Sequence, residues 1–368
     1  MLKIILYPLS IIYGIIVYVR NSLYDYKILK STDFEIPVIS IGNITVGGTG
    51  KTPHTEYLVE LLQKHVQVAT LSRGYKRKTK GFLLVQPDSP VTEVGDEPLQ
   101  IKQKFPLVTV AVDENRVHGI RELFKNSQQL SPDVVLLDDA FQHRRVTAGI
   151  NILLIDYNRP VDKDSLLPLG RLRERKYQQR RANVIVYTKC PDEITPITRR
   201  IIMKDVNLRP YQSLYFTTMI YGEPKAVFPD LAVAIPPFHE KRISSLMLSG
   251  IASPGQFRKY LSSKTNLLDE LIFGDHHFFT VKDLNLIGQK YENCKTKDLF
   301  ILTTEKDAMR LRDEHALPDE VKSRMFYIPV KIKFLDSEGK SFEKKIVSYV
   351  KDNRSNRKLY THKNKPAT

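Results

Sequence analysis

In Val46-Gly47-Gly48-Thr49-Gly50-Lys51-Thr52, three glycines, a lysine and a threonine have the types and spacing that phosphate chemistry uses. An anion is held well by successive backbone N–H groups turned inward. That requires residues free to take unusual dihedrals and a helix N-terminus facing the charge. Gly47, Gly48 and Gly50 meet the first requirement. The loop runs from Thr45 to Thr52; Lys51 is placed to reach the β- and γ-phosphates of a nucleotide, and the Thr52 hydroxyl to ligate the bridging Mg2+. The usual pattern has a glycine five residues before Gly50, where this chain has Thr45, and two extra glycines lie inside the loop. A purely structural glycine turn is the plain alternative, and the Gly-Lys-Thr ending argues against it.

A nucleotide loop also needs an acidic residue at the end of a neighbouring strand. Val134-Val135-Leu136-Leu137-Asp138-Asp139 runs four apolar residues into two adjacent acids, which repel one another without a cation. Asp138 and Asp139 are therefore candidate magnesium ligands, with helix capping by Asp139 as the alternative. These residues establish nucleotide binding and leave two classes open, a kinase with an acceptor and an ATPase or GTPase switch without one.

Short apolar runs must carry these groups. Segments 36–41, 66–71, 107–112, 134–137, 150–155 and 184–187 are rich in Val, Ile and Leu, as strands buried on both faces should be. Helical periodicity appears at 52–64 and 114–125, which predicts a doubly wound α/β sheet with helices on both faces. A second α/β unit follows, with strands at 244–248, 267–273 and 299–302 and helices at 254–261, 281–290 and 305–312. Residues 211–220 and 325–334 have strand composition and are expected to pair as a two-stranded connection between lobes. The expected division is an N-terminal helix 1–25, a phosphate-loop lobe 26–210, a second lobe 211–335 and a basic, partly disordered tail 336–368.

Composition narrows the class further. A chain of 368 residues that is 42% hydrophobic suits two cores, and two cysteines, Cys190 and Cys294, cannot build a disulfide framework. With 57 basic and 41 acidic residues the net charge of +16 attracts polyanions, yet no interleaving of basic and aromatic residues of the RNA-binding kind is present. Residues 4–19 carry no charge and are bracketed by Lys3 and Arg20. That run is shorter than the roughly 20 residues a spanning helix needs, so it reads as a shallow or monotopic membrane helix, with a buried core helix as the alternative.

Six further segments accompany the loop in order: Leu71-Ser72-Arg73-Gly74-Tyr75, Val94-Gly95-Asp96-Glu97-Pro98, Asp138 through Arg144, Leu167 through Glu174, Asp275-His276-His277-Phe278 and Thr304-Glu305-Lys306-Asp307. Together with Ile41 through Pro53 they resemble the tetraacyldisaccharide 4'-kinase family of lipid A biosynthesis over roughly residues 1–335. The resemblance implies a P-loop NTPase-like α/β/α lobe and a second, smaller α/β lobe joined by a β-ribbon, with ATP between them and Mg2+ beside it. It implies transfer of the γ-phosphate of ATP to the 4'-hydroxyl of a tetraacyldisaccharide 1-phosphate, giving lipid IV-A, at the cytoplasmic face of the inner membrane. The expected partners are that lipid and an anionic membrane surface; no nucleic acid and no obligate protein partner are expected.

The resemblance also implies roles. Asp96, in a segment that is a loop by composition and where a helix N-cap is the plain reading of the residues alone, becomes under the resemblance the base beside the acceptor hydroxyl, with His276 supporting it across the cleft and Lys51 on the phosphates. Asp275 is a candidate for fixing the His276 tautomer, and His277 reads as a polar loop residue. Arg73, Arg116, Arg144, Arg171 and Arg173 are candidate phosphate contacts. Glu174, Lys306 and Asp307 are candidates for the nucleotide or metal side.

Overall fold

The computed structural model describes residues 2–125, 131–235, 238, 243–294, 296, 298–312, 314 and 316–363. Its strands in chain order are β1 (Val38–Gly42), β2 (Val68–Ser72), β3 (Leu83–Leu84), β4 (Thr109–Val112), β5 (Val134–Leu137), β6 (Ile150–Asp156) and β7 (Val184–Thr188). They continue with β8 (Ser213–Tyr221), β9 (Lys225–Ala226), β10 (Ser244–Ser249), β11 (Asn266–Ile272), β12 (Leu299–Thr304), β13 (Met325–Ile328) and β14 (Val330–Phe334). The α-helices are α1 (Leu2–Asp25), α2 (Lys51–Leu62), α3 (Val91–Val94), α4 (Asp96–Lys104), α5 (Arg116–Lys125) and α6 (Pro196–Val206). Then come α7 (Gly255–Lys264), α8 (Val281–Asn293), α9 (Glu305–Leu311), α10 (Asp319–Ser323) and α11 (Gly339–Lys363).

Two sheets form. The first has nine strands in the order β14-β8-β7-β6-β1-β5-β2-β4-β3, parallel from β8 through β4 with an antiparallel strand at each edge. Every residue of β1, β5 and β7 is buried, which is why β5 is wholly apolar and the other two are nearly so, with Ser40 in β1 and Thr188 at the end of β7 as exceptions. The second has five strands in the order β11-β10-β12-β13-β9, parallel except for β9. This is the mixed α/β architecture expected from the alternation of strands and helices.

Three details differ from the sequence reading. Segment 325–334 is two strands: β13 pairs parallel with β12 in the second sheet, while β14 pairs antiparallel with β8 in the first. Pro329 separates them, because a residue without an N–H cannot continue a ladder; its carbonyl instead accepts from Gly222 N at 2.8 Å. β8 also pairs with β7, so the connection between the lobes extends the first sheet. The tail does fold in its first part, as α11. Phe342, Ile346 and Val350, spaced four apart, are buried on one face. The Phe342 ring lies 4.7 Å from Phe334 and 5.4 Å from Tyr215, centroid to centroid. Each such buried side chain contributes on the order of 1.5–3 kcal/mol. The disorder expected beyond residue 363 lies outside the described residues.

α1 is longer than the uncharged run and is not a buried core helix. Ser10, Gly14, Asn21 and Tyr24 are buried, and the opposite face exposes Tyr7, Leu9, Ile11, Ile12, Ile15, Ile16, Tyr18 and Val19. Polar bonds fasten the inner face: Ser10 Oγ donates to Leu166 O at 2.9 Å, Tyr13 Oη to Arg173 O at 3.0 Å, and Asn21 Nδ2 to Glu174 Oε1 at 2.8 Å.

Candidate active site

Parallel strands deliver their carboxyl ends to one edge, where ligands of open α/β sheets bind. Here both sheets turn that edge toward one cleft of about 270 Å3. β1 delivers the glycine loop and β5 delivers Asp138 and Asp139. From the second lobe, β11 leads to Asp275-His276 and β12 to Thr304-Glu305-Lys306.

The glycine loop has the backbone that its composition requires. Gly47 and Gly50 take φ of +104° and +81°, a left-handed backbone in which any residue with a side chain is strained. Gly50 precedes the first turn of α2, leaving the free N–H groups of Lys51 and Thr52 at the cleft. Asn43 Nδ2 donates to Thr49 Oγ1 at 2.7 Å. His54, which sequence reasoning did not single out, clamps the loop from behind. Its Nδ1 donates to Gly50 O at 2.7 Å, and its Nε2 accepts from Thr217 Oγ1 at 3.0 Å. Burial pushes this imidazole down to about 4, so the clamp is neutral.

Asp138 and Asp139 occupy a turn where no helix starts, which removes the capping alternative. Their electrostatics are opposite. Burial opposes ionisation of Asp139, but Lys51 Nζ at 3.5 Å and Arg173 Nη1 at 3.2 Å hold its carboxyl below the ordinary range. Asp138 is pushed up to about 7, first by burial and then by the charges of Glu97 and Asp139. Its Oδ1 accepts from Thr55 Oγ1 at 3.1 Å, while its buried Oδ2 has no hydrogen-bond partner among the described residues. An orphaned anionic oxygen beside a phosphate loop fits a divalent cation. Among the described residues no cluster of three His, Cys, Asp or Glu side chains forms a complete metal cage. Magnesium in nucleotide sites takes one or two protein ligands and completes its shell with water and phosphate.

A helix does start here, as the N-cap reading of Asp96 implies, but the cap position is Gly95 and Asp96 is the first residue of α4. Pro98 is tolerated there because first-turn N–H groups need no intrahelical partner. Its carboxylate meets His276 Nδ1 at 2.8 Å and Arg310 Nε at 3.4 Å, both from the second lobe. Burial works to raise the Asp96 pKa, but the His276 hydrogen bond and the charges of Lys306, His276 and Arg310 hold it at about 2. His276 has φ of 53°, a left-handed conformation that a non-glycine residue keeps only when its surroundings impose it. Lys76 supplies part of that constraint by donating to the carbonyls of Asp275 and His276 at 2.9 and 3.1 Å. The Tyr75 ring stands edge-on to the imidazole, centroids 4.9 Å apart.

Glu97 is the acidic residue that sequence reasoning left without a role. It accepts from Thr52 Oγ1 at 3.0 Å and pairs with Lys306, so it links the phosphate loop to the second lobe. Its place beside Asp96 in one matched segment was the available signal. Arg310 gave no such signal, because its value comes from the contact across the cleft.

The remaining candidates divide. Arg173 points at Asp139, and Arg171 contributes its backbone carbonyl to Val46 N at 2.8 Å while its side chain is exposed, as is that of Arg73. Arg116 is buried on the carbonyls of Asp113 and Asp138, and Arg144 reaches Asn21 O, Asp25 and the Tyr24 ring. Both are turned to structural partners. Glu174 is buried against Asn21, Gln142 and Arg181, fastening α1 instead of meeting nucleotide. Asp275 stands 3.8 Å from His276 Nε2, beyond hydrogen-bond range, and Asp96 fixes the imidazole from the other side. His277 pairs with Asp283. Asp307 accepts from Gly250 N at 3.0 Å and meets Arg310 at 3.0 Å, building the turn behind the cleft.

Comparison with known proteins bears on the chain as a whole. A family profile described as tetraacyldisaccharide-1-P 4'-kinase matches residues 2–351. The tetraacyldisaccharide 4'-kinase of Phocaeicola vulgatus is 47% identical over 352 residues, 95% of this chain and 96% of that protein. The protein of the same name from Bacteroides thetaiotaomicron is 46% identical over 358 residues, 95% of this chain and 94% of that one. A crystal structure described as an "apo" form of LpxK from Aquifex aeolicus in complex with ATP superposes with a TM-score of 0.70. It shares 31% identity and covers 95% of this chain and 100% of its own.

Proposed function

This chain belongs to the tetraacyldisaccharide-1-P 4'-kinase family, and from that premise we propose how its cleft carries out the transfer. The activity is ATP-dependent phosphorylation of the 4'-hydroxyl of a tetraacyldisaccharide 1-phosphate, the lipid A step that forms lipid IV-A. The observation that carries the assignment of roles is the 2.8 Å contact between Asp96 and His276, two residues from different lobes, of which His276 and the Asp96 neighbour Glu97 line the cleft of the phosphate loop.

Phosphoryl transfer through a loose transition state leaves the acceptor proton in place until late. A weak base therefore suffices, and a carboxylate held at about 2 is ionised throughout the physiological range. Asp96 orients the 4'-hydroxyl and receives its proton as the new P–O bond forms. His276 donates Nδ1–H to that carboxylate and sets its direction. Lys51, now paired with Asp139, exchanges that partner for the β- and γ-phosphates. Thr52 and Asp138, with Asp139 beside them, would hold Mg2+, which when bound neutralises phosphate charge. Arg173 is the arginine of the five best placed on the phosphate side.

The exposed face of α1 supports a position in the membrane interface, with apolar side chains among the acyl chains and the inner face docked on the kinase lobe. The net charge of +16 adds attraction to anionic lipid. Both features support a position at the cytoplasmic face of the inner membrane, where the lipid acceptor and ATP meet.

The test is transfer of labelled γ-phosphate to a tetraacyldisaccharide 1-phosphate in the presence of Mg2+. Labelled lipid is expected from the wild type, and Asp96→Ala should lower turnover about 10²–10⁴-fold with ATP affinity little changed. An unimpaired Asp96→Ala enzyme would remove the proposed role.

A further inference from the structure

A second charged cluster lies on the outer flank of the glycine loop, away from Lys51. Lys189, at the end of β7, donates its ammonium to Gly48 O and lies 3.2 Å from Asp156 Oδ2. Arg159 pairs with the same carboxylate oxygen at 2.8 Å, reaches Gly48 O at 3.4 Å and touches Ser253 Oγ of the second lobe at 3.4 Å. Next to Lys189, the buried Thr188 Oγ1 donates to Thr49 O at 2.9 Å. Lys189 holds a φ of 57°, a strained backbone for a residue with a side chain. Its ammonium is largely buried, and it lines the cleft.

We propose that Lys189, held by Asp156, is a positioning residue for the phosphates of ATP, acting through the orientation of the Gly48–Thr49 peptide. In a planar trans peptide the C=O of one residue and the N–H of the next point in opposite directions. Pinning Gly48 O against β7 therefore aims the Thr49 N–H into the cleft, and pinning Thr49 O through Thr188 aims the Gly50 N–H the same way. Glycine at 47 and 48 gives the loop enough freedom to flip that peptide, which would present a carbonyl dipole to the phosphates. Lys189 removes that freedom. Asp156 is needed because it compensates two cations that would otherwise repel in a partly buried site.

This inference rests on the ATP-binding half of the reading above, so its test uses nucleotide alone. A fluorescent ATP analogue is titrated into wild type, Lys189→Met, Lys189→Arg and Asp156→Asn, with thermal melting as a check on folding. ATP KM and kcat for lipid transfer are then measured on the same proteins. Lys189→Met should weaken nucleotide binding about tenfold or more, as loss of a charged donor implies, and raise KM in parallel while kcat stays close to wild type. Lys189→Arg should recover most of the affinity, and Asp156→Asn should fall between. A folded Lys189→Met protein that binds nucleotide as tightly as wild type overturns the inference. So does a loss confined to kcat, which would make Lys189 a contact of the transition state. Absence of lipid product from the wild type would count against the proposed reaction and leave the nucleotide titration standing.

Discussion

Asp96 and Asp138 are both buried carboxylates whose chain neighbours Glu97 and Asp139 line one cleft, yet the first is held at about 2 and the second is pushed up to about 7. Burial acts on them alike. The difference is the supply of positive charge. Asp96 has its cations built in, from His276, Arg310 and Lys306 of the second lobe. Asp138 has the neutral Thr55 hydroxyl and the Asp139 N–H on one oxygen and no hydrogen-bond partner on the other among the described residues, while Asp139 takes Lys51 and Arg173. One end of the cleft is thus complete when the lobes meet. The other end has an excess of negative charge that a bound cation would offset.

Substitution of Asp138 should break that contrast most visibly. Asp138→Asn is expected to lower transfer by about 10²–10³-fold at moderate Mg2+, the scale of losing one electrostatic stabiliser, with partial recovery at high Mg2+. Loss through Asp96→Ala should not respond to Mg2+. Stability gives the reverse sign. A carboxyl whose folded pKa is raised loses stability as pH climbs from the ordinary carboxylate range through about 7. In a chelating buffer at pH 8, Asp138→Asn should therefore melt higher than wild type, and a lower melting temperature would contradict the electrostatic account.

A smaller effect sharpens the same point through pH. Metal binding at Asp138 must displace its proton below about pH 7, so Mg2+ affinity should fall about tenfold per pH unit in that range and level off above it. Isothermal titration of Mg2+ in the presence of a nonhydrolysable ATP analogue measures this directly. A flat profile from pH 5.5 to 8 would show that Asp138 is not the titrating ligand.

The smallest expected effect on the chemistry comes from α1, which touches the Asp139 side through the Tyr13 bond to Arg173 O. Ile12→Ser with Ile16→Ser removes exposed apolar surface without touching the inner face. Cosedimentation with anionic vesicles should drop several-fold, on the scale of the apolar area removed. Mg2+ dependence and the Asp96 effect should be unchanged with detergent-solubilised acceptor. Deleting the helix is a poorer test, because it would also strip partners from Glu174 and from the carbonyls of Leu166 and Arg173.

Local groups were the legible ones. Buried parallel strands write themselves as apolar runs, and the glycine loop carries its function within eight residues, so both could be placed from sequence. Asp138 and Asp139 stood out because adjacent acids after such a strand need a cation. Glu97 and Arg310 did not, and Lys306 was legible only as a nucleotide-side candidate, since the partners of all three lie across the cleft and no periodicity encodes that meeting. Arg116, Arg144 and Glu174 looked equally suited to phosphate or metal, and only packing shows that they fasten the strand ends and α1. Pro329 was the overlooked local signal, marking where one apparent strand becomes two in different sheets.

The central claim is that Asp96 and His276 act as one unit across the lobes. A double-mutant cycle on single-turnover transfer, with Asp96→Ala, His276→Ala and the double variant at saturating ATP and Mg2+, tests it most directly. The account predicts that the double variant is no slower than Asp96→Ala alone, because His276 works through that carboxylate. Losses that multiply would show two independent contributions and contradict it.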